Sequence, residues 1–176
     1  MALSPTIASD SIKESYKAFV TVDEAGLATG MPQVGDFPSL WANAYDTYAS
    51  AGIVISAINE GGEKGIIEAF MRGATSNTSQ VIRDFAIALA SYWTTVALKP
   101  GDAMHGGNVV VSIVNNAMAF IPAFEAAIIA SMTDKSSIPW FFKLVSNVQS
   151  MAVSKILWTI TEVNSSGTII ALEPIN

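Results

Sequence analysis

The pair of side chains best suited to acid–base chemistry in this sequence is Asp102 with His105. His105 is the only histidine, and it lies in a glycine-containing, loop-like stretch that ends at Gly107. A nearby carboxylate can orient an imidazole for proton transfer, but catalysis also needs a positioned reacting group. The sequence offers no such group beside this pair. It therefore predicts no catalytic residue, and an enzyme or small-molecule binder that uses the Asp102/His105 loop is kept as an alternative.

The sequence also predicts no metal site and no cofactor. The chain contains no cysteine, which excludes disulfides, thiolate catalysis, and zinc or iron–sulfur sites built on cysteine. A site made of histidine and carboxylates would need more ligands than the stretch 102–107 contains. The glycine-rich stretch 61–65 lacks the spacing of a phosphate-binding P-loop.

The composition is poor in charge. Charged residues make up 14% of the chain and hydrophobic residues 51%, and the mean hydropathy is +0.41. Ordinary soluble domains contain about 25% charged residues. Either small polar side chains cover the surface, or another subunit covers part of it. We favour the second explanation, and expect a homo-oligomer.

The charges are acidic in sum and dispersed in position. The formal net charge is −6, and the nine lysines and arginines are scattered along the chain. Nucleic-acid binding needs clustered positive charge that neutralises phosphates, so this class of partner is not expected. A polybasic contact with an anionic membrane is disfavoured for the same reason.

The longest neutral stretch runs from Ala103 to Thr133, with Glu125 as its only charged residue. Its first part is rich in valine, which suits a strand, and its second part is rich in alanine, which favours helix. We predict a helix over residues 108–132, kinked or broken near Pro122. This helix is expected to be the buried centre of the fold.

Individual side chains of this stretch carry their own expectations. Val111, Val114, Met118 and Ile121 recur at helical spacing and should be buried. Glu125, surrounded by apolar residues, should hydrogen-bond, pair with a base, lie at an interface or take a raised pKa. The amides of Asn115 and Asn116 should turn toward backbone acceptors, water or another subunit.

Helix signals recur along the rest of the chain. Starts are predicted at Ser4-Pro5, after Asp36, at Asn77 or Thr78, and at Pro139. A short helix is predicted around Ile66 to Met71. The alternating residues from Ile156 to Thr161, a turn at residues 164–167 and the run 168–172 favour a β-hairpin over a helix followed by a loose tail.

The second alternative is a protein that inserts part of its chain into a membrane. The uncharged run from Phe85 to Leu98 is shorter than the roughly 20 residues that a spanning helix needs. Residues 108–132 are long enough, but their amides, Pro122 and Glu125 make insertion costly. The alternative is a helical hairpin over residues 85–132 that inserts from a soluble state. The N-terminus lacks the features of a signal peptide, so we expect a cytoplasmic or virion-associated protein.

The sequence predicts a mainly α fold in one domain over residues 1–176. About five helices surround the buried central helix, and residues 155–176 form a small β-hairpin or a tail. The expected function is that of a non-catalytic structural or interaction protein that assembles with copies of itself. Such a protein could be one subunit of a larger particle such as a virion.

Overall fold

The structure is a computed structural model that describes residues 4–19, 37–52, 58–59, 65, 67, 78–95, 97–98, 104–105 and 108–174. The α-helices are α1 (Pro5–Phe19), α2 (Phe37–Gly52), α3 (Thr78–Thr95), α4 (Ile121–Thr133) and α5 (Trp140–Met151). The strands are β1 (Ile58–Asn59), β2 (Ala97–Leu98), β3 (Met104–His105), β4 (Asn108–Asn115), β5 (Leu157–Asn164) and β6 (Gly167–Pro174).

Four helices begin where capping residues and prolines predict. α1 starts at Pro5, which has no amide hydrogen to leave unpaired in the first turn. α2 starts directly after Asp36, α3 starts at Thr78, and α5 starts directly after Pro139. The predicted short helix around Ile66 to Met71 falls largely outside the described residues, of which Gly65 and Ile67 are helical.

The helices form a layer in which neighbours along the chain are not always neighbours in space. α1 packs against α2 and α5, α5 packs against α4, and α4 packs against α3. Aromatic rings hold this layer together. Tyr45 of α2 meets Tyr92 of α3 edge to face with ring centroids 5.2 Å apart, and Trp41 of α2 stacks on Trp140 of α5 at 4.7 Å.

Strands β3 to β6 form one antiparallel sheet in the order β3-β4-β5-β6. Strands β1 and β2 pair in a separate two-stranded sheet. Helices α4 and α5 lie in the connection between β4 and β5. The β4–β5 register shifts between Val110 and Ser112, which makes Val111 the extra residue of a β-bulge. Alternate residues of β5 are buried, namely Trp158, Ile160 and Glu162.

The core lies between the helical layer and one face of the sheet. A single cluster of buried apolar side chains includes Leu89 of α3, Phe124 of α4, Val148 of α5, and Trp158 and Ile160 of β5. β5 takes part because its alternating pattern directs every second side chain toward the helices. One face of the sheet is thereby covered.

The prediction of a mainly α fold is wrong: the protein has a mixed α and β architecture. Residues 108–132 are not one helix around which the others pack. They comprise β4, a 3₁₀ turn over Ala117–Phe120, and most of α4. The valine-rich run is extended because it pairs with β5, a partner more than 40 residues away that a local pattern cannot reveal. Strands β5 and β6, predicted as a small hairpin, are half of the four-stranded sheet.

The expectation of a buried hub at residues 108–132 is also wrong for much of that segment. Val114 is 59% exposed and Met118 is 44% exposed. Val111, which was expected to share a helical face with Val114, is the bulge residue and is also exposed. Phe124, Ala127 and Ile128 of α4 are buried. β4 therefore contributes exposed side chains, and α4 contributes buried ones.

In this structure the described part of residues 85–132 is not a helical hairpin, because it runs from α3 through β4 into α4. Within the described part of the chain, no helix is both long enough and apolar enough to cross a membrane.

Candidate functional site

The residues with predicted chemistry are not assembled into a site by the described structure. Asp102 lies outside the described residues, and His105 lies in β3, where its backbone pairs with Asn108. Among the described residues, no three histidines or carboxylates are grouped closely enough to hold a metal ion.

A buried polar cluster joins β4 to β5 at one end of the sheet. Glu162 is 2% exposed, and its carboxylate oxygen Oε2 accepts a hydrogen bond of 2.7 Å from Nδ2 of Asn108. The side-chain oxygen of Asn108 accepts a hydrogen bond of 3.0 Å from Nδ2 of Asn164. A carboxylate buried in this way needs such donors, because burial without them would be costly.

The hydrogen bonds described for this cluster link neighbouring strands. Amide side chains donate and accept hydrogen bonds but do not transfer protons at neutral pH, so Asn108 and Asn164 cannot complete an acid–base pair with Glu162. The bonds instead fix the alignment of β4 with β5. Sequence reasoning missed the cluster, although the two-residue alternation that places Trp158 and Ile160 inward also places Glu162 inward.

The other side of the sheet is an unusual surface for a folded protein. The register places alternate residues of β4, β5 and β6 on the side away from the helical core. We call this set the outer sheet face. It consists of apolar and hydroxyl residues only: Val109, Ser112, Val114, Leu157, Thr159, Thr161, Val163, Thr168, Ile170 and Leu172.

Its apolar members are well exposed. Val114 is 59% exposed, Ile170 68% and Leu172 66%. An antiparallel sheet that covers a core on one side usually presents polar residues to water on the other. The outer sheet face instead presents branched aliphatic and threonine side chains, and no member of the set is charged. A group of exposed apolar side chains on one uncharged face is typical of a contact surface.

A smaller apolar patch lies on and beyond α4. Ile129 is 47% exposed, Met132 52% and Ile138 47%. Unlike the outer sheet face, this patch is interrupted by exposed charged residues, Asp134 and Lys135. It therefore serves as a comparison surface for the experiments below.

Polar residues of the neutral stretch 103–133 bond to other parts of the fold. Glu125 pairs with Arg83 of α3, with Nη1 and Oε1 2.6 Å apart. The side-chain amide of Asn115 donates to the carbonyl of Trp93, and its oxygen accepts from the backbone N–H of Ala117 at 3.0 Å. These bonds connect α3 to the junction between β4 and the 3₁₀ turn.

Asn116 makes a comparable link between distant parts of the chain. Its side-chain oxygen accepts a hydrogen bond of 3.0 Å from the backbone N–H of Leu157, at the start of β5. The expectation of a backbone acceptor is therefore confirmed for Asn115, whereas the described bond of Asn116 is with a backbone donor. These bonds position the sheet within the fold. The outer sheet face is therefore the principal candidate for function.

Comparison of the chain with protein-family models, with curated proteins and with solved structures gives no match.

Proposed function

We propose that this protein is a non-catalytic structural protein that assembles with copies of itself through the outer sheet face. In this proposal it is a repeated subunit of a larger particle, of which a virion is one example. The observation that carries the proposal is the uncharged, exposed apolar surface formed by β4, β5 and β6.

The chemistry of this surface favours another protein surface as its partner. Branched aliphatic side chains gain free energy when water is removed from them, by roughly 25 cal/mol for each Å² of apolar surface buried. Threonine hydroxyls at the same face can hydrogen-bond across a contact without the desolvation cost of a charge. The low charge content of the chain agrees with a surface that is covered in the working state.

The test is gel filtration with light scattering on the wild-type protein and on two matched variants. Val114→Asp places a carboxylate in the outer sheet face, whereas Ile129→Asp places one on the α4 patch at similar exposure. We expect an oligomer for the wild-type protein and for Ile129→Asp, and a shift toward monomer for Val114→Asp. A thermal melt checks that both variants remain folded.

Two results would contradict the proposal. A wild-type protein that stays monomeric at every concentration would exclude self-assembly. A monomer from Ile129→Asp together with an intact oligomer from Val114→Asp would exclude the outer sheet face as the contact.

A further inference from the structure

We propose that two copies of this chain pair edge to edge through β6, in antiparallel orientation and with Ile170 on the two-fold axis. The inference rests on the proposed self-assembly and specifies one contact within it. The pairing would join two four-stranded sheets into one continuous sheet with a doubled outer face.

β6 is the last strand of the sheet, and among the described residues no strand pairs with its far side. Proteins usually protect such an edge with lysine, proline or a bulge near its middle. β6 has none of these between Thr168 and Leu172, and its pairing with β5 is continuous over eight residues. Its only charge is Glu173 and its only proline is Pro174, both at its end. The edge is therefore open to another strand.

The register of the β5–β6 hairpin shows which backbone groups face that edge. Asn164 pairs with Gly167 across the two-residue turn, and the closing pair of such a turn exchanges backbone hydrogen bonds. Bonded and non-bonded pairs then alternate along an antiparallel ladder. The N–H and C=O groups directed away from β5 are consequently those of Thr168, Ile170 and Leu172.

These groups match a second copy of themselves. When Ile170 lies opposite Ile170 of the second copy, Thr168 of each chain lies opposite Leu172 of the other. Each of these facing pairs can exchange two backbone hydrogen bonds, so every free donor and acceptor of the three residues is used. A shift of the pairing toward the end of β6 would bring in Pro174, which has no N–H to donate.

Charge selects the antiparallel orientation. With Ile170 on the axis, Glu173 lies opposite Gly167 of the second copy, and the two carboxylates are about 20 Å apart along the strands. A parallel pairing in register would place Glu173 directly beside Glu173, and like charges facing each other across strands are destabilising. On the outer face, Ile170 would adjoin Ile170, and Leu172 would adjoin Thr168.

Single-cysteine variants test the register, because the natural chain has no other thiol. Directly facing bonded residues have Cα atoms about 5.5 Å apart, within the range of a disulfide. Under mild oxidation we expect Ile170→Cys to form a covalent dimer at least about tenfold faster than Thr168→Cys, Leu172→Cys or Ile129→Cys, the control on the exposed α4 patch. A mixture of the Thr168 and Leu172 variants should form a mixed dimer.

A backbone variant tests the hydrogen bonds themselves. Thr168→Pro removes an N–H that faces the open edge, while Thr168→Val keeps it and serves as the matched control. We expect the proline variant to weaken dimerisation by about tenfold and the valine variant to leave it nearly unchanged.

The outcomes separate this inference from the proposed function. Equal cross-linking at Ile170 and at Ile129, in a protein that light scattering shows to be oligomeric, would overturn the β6 pairing and leave self-assembly standing. A monomeric wild-type protein without cross-linking at Ile170 would overturn both. Equal effects of Thr168→Pro and Thr168→Val would also contradict the edge pairing.

Discussion

At the scale of single residues, two buried tyrosines of α2 differ in one hydrogen bond. The hydroxyl oxygen of Tyr45 accepts a bond of 2.8 Å from Nε1 of Trp93, whereas the hydroxyl of Tyr48 is buried without a hydrogen-bond partner among the described residues. Both side chains are almost completely enclosed. Removal of the tyrosine hydroxyl should therefore affect the free energy of unfolding differently at these two positions.

Tyr45→Phe should lower the free energy of unfolding by about 1–3 kcal/mol, because it leaves the buried N–H of Trp93 without its acceptor. Tyr48→Phe should leave the stability unchanged or raise it by about 1 kcal/mol, because it removes an unpaired buried hydroxyl. Urea denaturation of both variants measures the contrast. Equal losses would show that the hydrogen bond to Trp93 is not the cause.

The same tyrosines predict a dependence on alkaline pH. Burial raises the pKa of both phenols above the ordinary value, and for Tyr45 the bond from Trp93 opposes this in part. The folded state therefore disfavours ionisation of these phenols. As a result, the free energy of unfolding is fully retained below the unfolded pKa of about 10 and falls as the pH rises above it.

We therefore expect the phenolate absorbance of Tyr45 and Tyr48 to appear together with the loss of circular dichroism, in one cooperative step. Tyr48→Phe should reduce the amplitude of that step by one tyrosine. Full ionisation of these tyrosines in a protein that is still folded would contradict their burial.

At the scale of elements, the turn between α4 and α5 is held by one lysine. Lys143 is 7% exposed, and its Nζ donates to the backbone carbonyls of Asp134 at 2.6 Å and Ser136 at 2.8 Å. The carboxylate of Asp134 lies 3.7 Å from the same Nζ. This arrangement satisfies a charge that would otherwise be buried without partners.

Lys143→Met keeps most of the buried aliphatic stem and removes the donors. We expect it to lower the free energy of unfolding by about 1–3 kcal/mol. Lys155→Met, at an exposed position after α5, should change it by less than about 0.5 kcal/mol. Thermal or urea denaturation of the two variants provides the comparison, and similar effects at both positions would refute the role of the turn contacts.

Acid should weaken this turn. The backbone N–H of Ser136, followed by its hydroxyl and then by Lys143, lowers the pKa of the Asp134 carboxyl. A depressed folded pKa means that the stabilisation is present above the unfolded value of about 3.9 and is lost as the pH falls through the folded value. The difference in stability between the wild-type protein and Asp134→Asn should therefore shrink when the pH is lowered from 7 to below about 3.

At the scale of the whole molecule, a neutral contact surface predicts how assembly responds to conditions. The outer sheet face carries no charge, while the chain has a net charge of −6. Salt would screen the repulsion between copies without weakening an apolar contact. Cooling would weaken the contact, because hydrophobic association loses strength at low temperature.

We therefore expect the oligomer to persist or tighten between about 0.05 and 1 M sodium chloride, and to dissociate more readily in the cold. Light scattering over a range of protein concentrations measures both effects. Dissociation at high salt would show that ion pairs, rather than the outer sheet face, hold the copies together.

Local sequence determined much of this protein. Prolines and polar residues predicted the starts of α1, α2, α3 and α5, since these signals act within one helical turn. The absence of cysteine excluded disulfides, thiolate catalysis and metal sites built on cysteine. The rule that polar groups in apolar surroundings need partners correctly anticipated the bond of Asn115 to a backbone acceptor and the pairing of Glu125, whereas Asn116 bonds a backbone donor.

Tertiary structure alone decided the fold of residues 108–115 and the surface that they help to form. A run of valines can extend a helix or form a strand, and the choice depended on a distant partner, β5. The register of that pairing then determined which side chains turn inward. A shift of one residue would have exchanged Val114 with Asn115, and the outer sheet face with the core. Since register is a relation between two segments, neither segment contains it by itself.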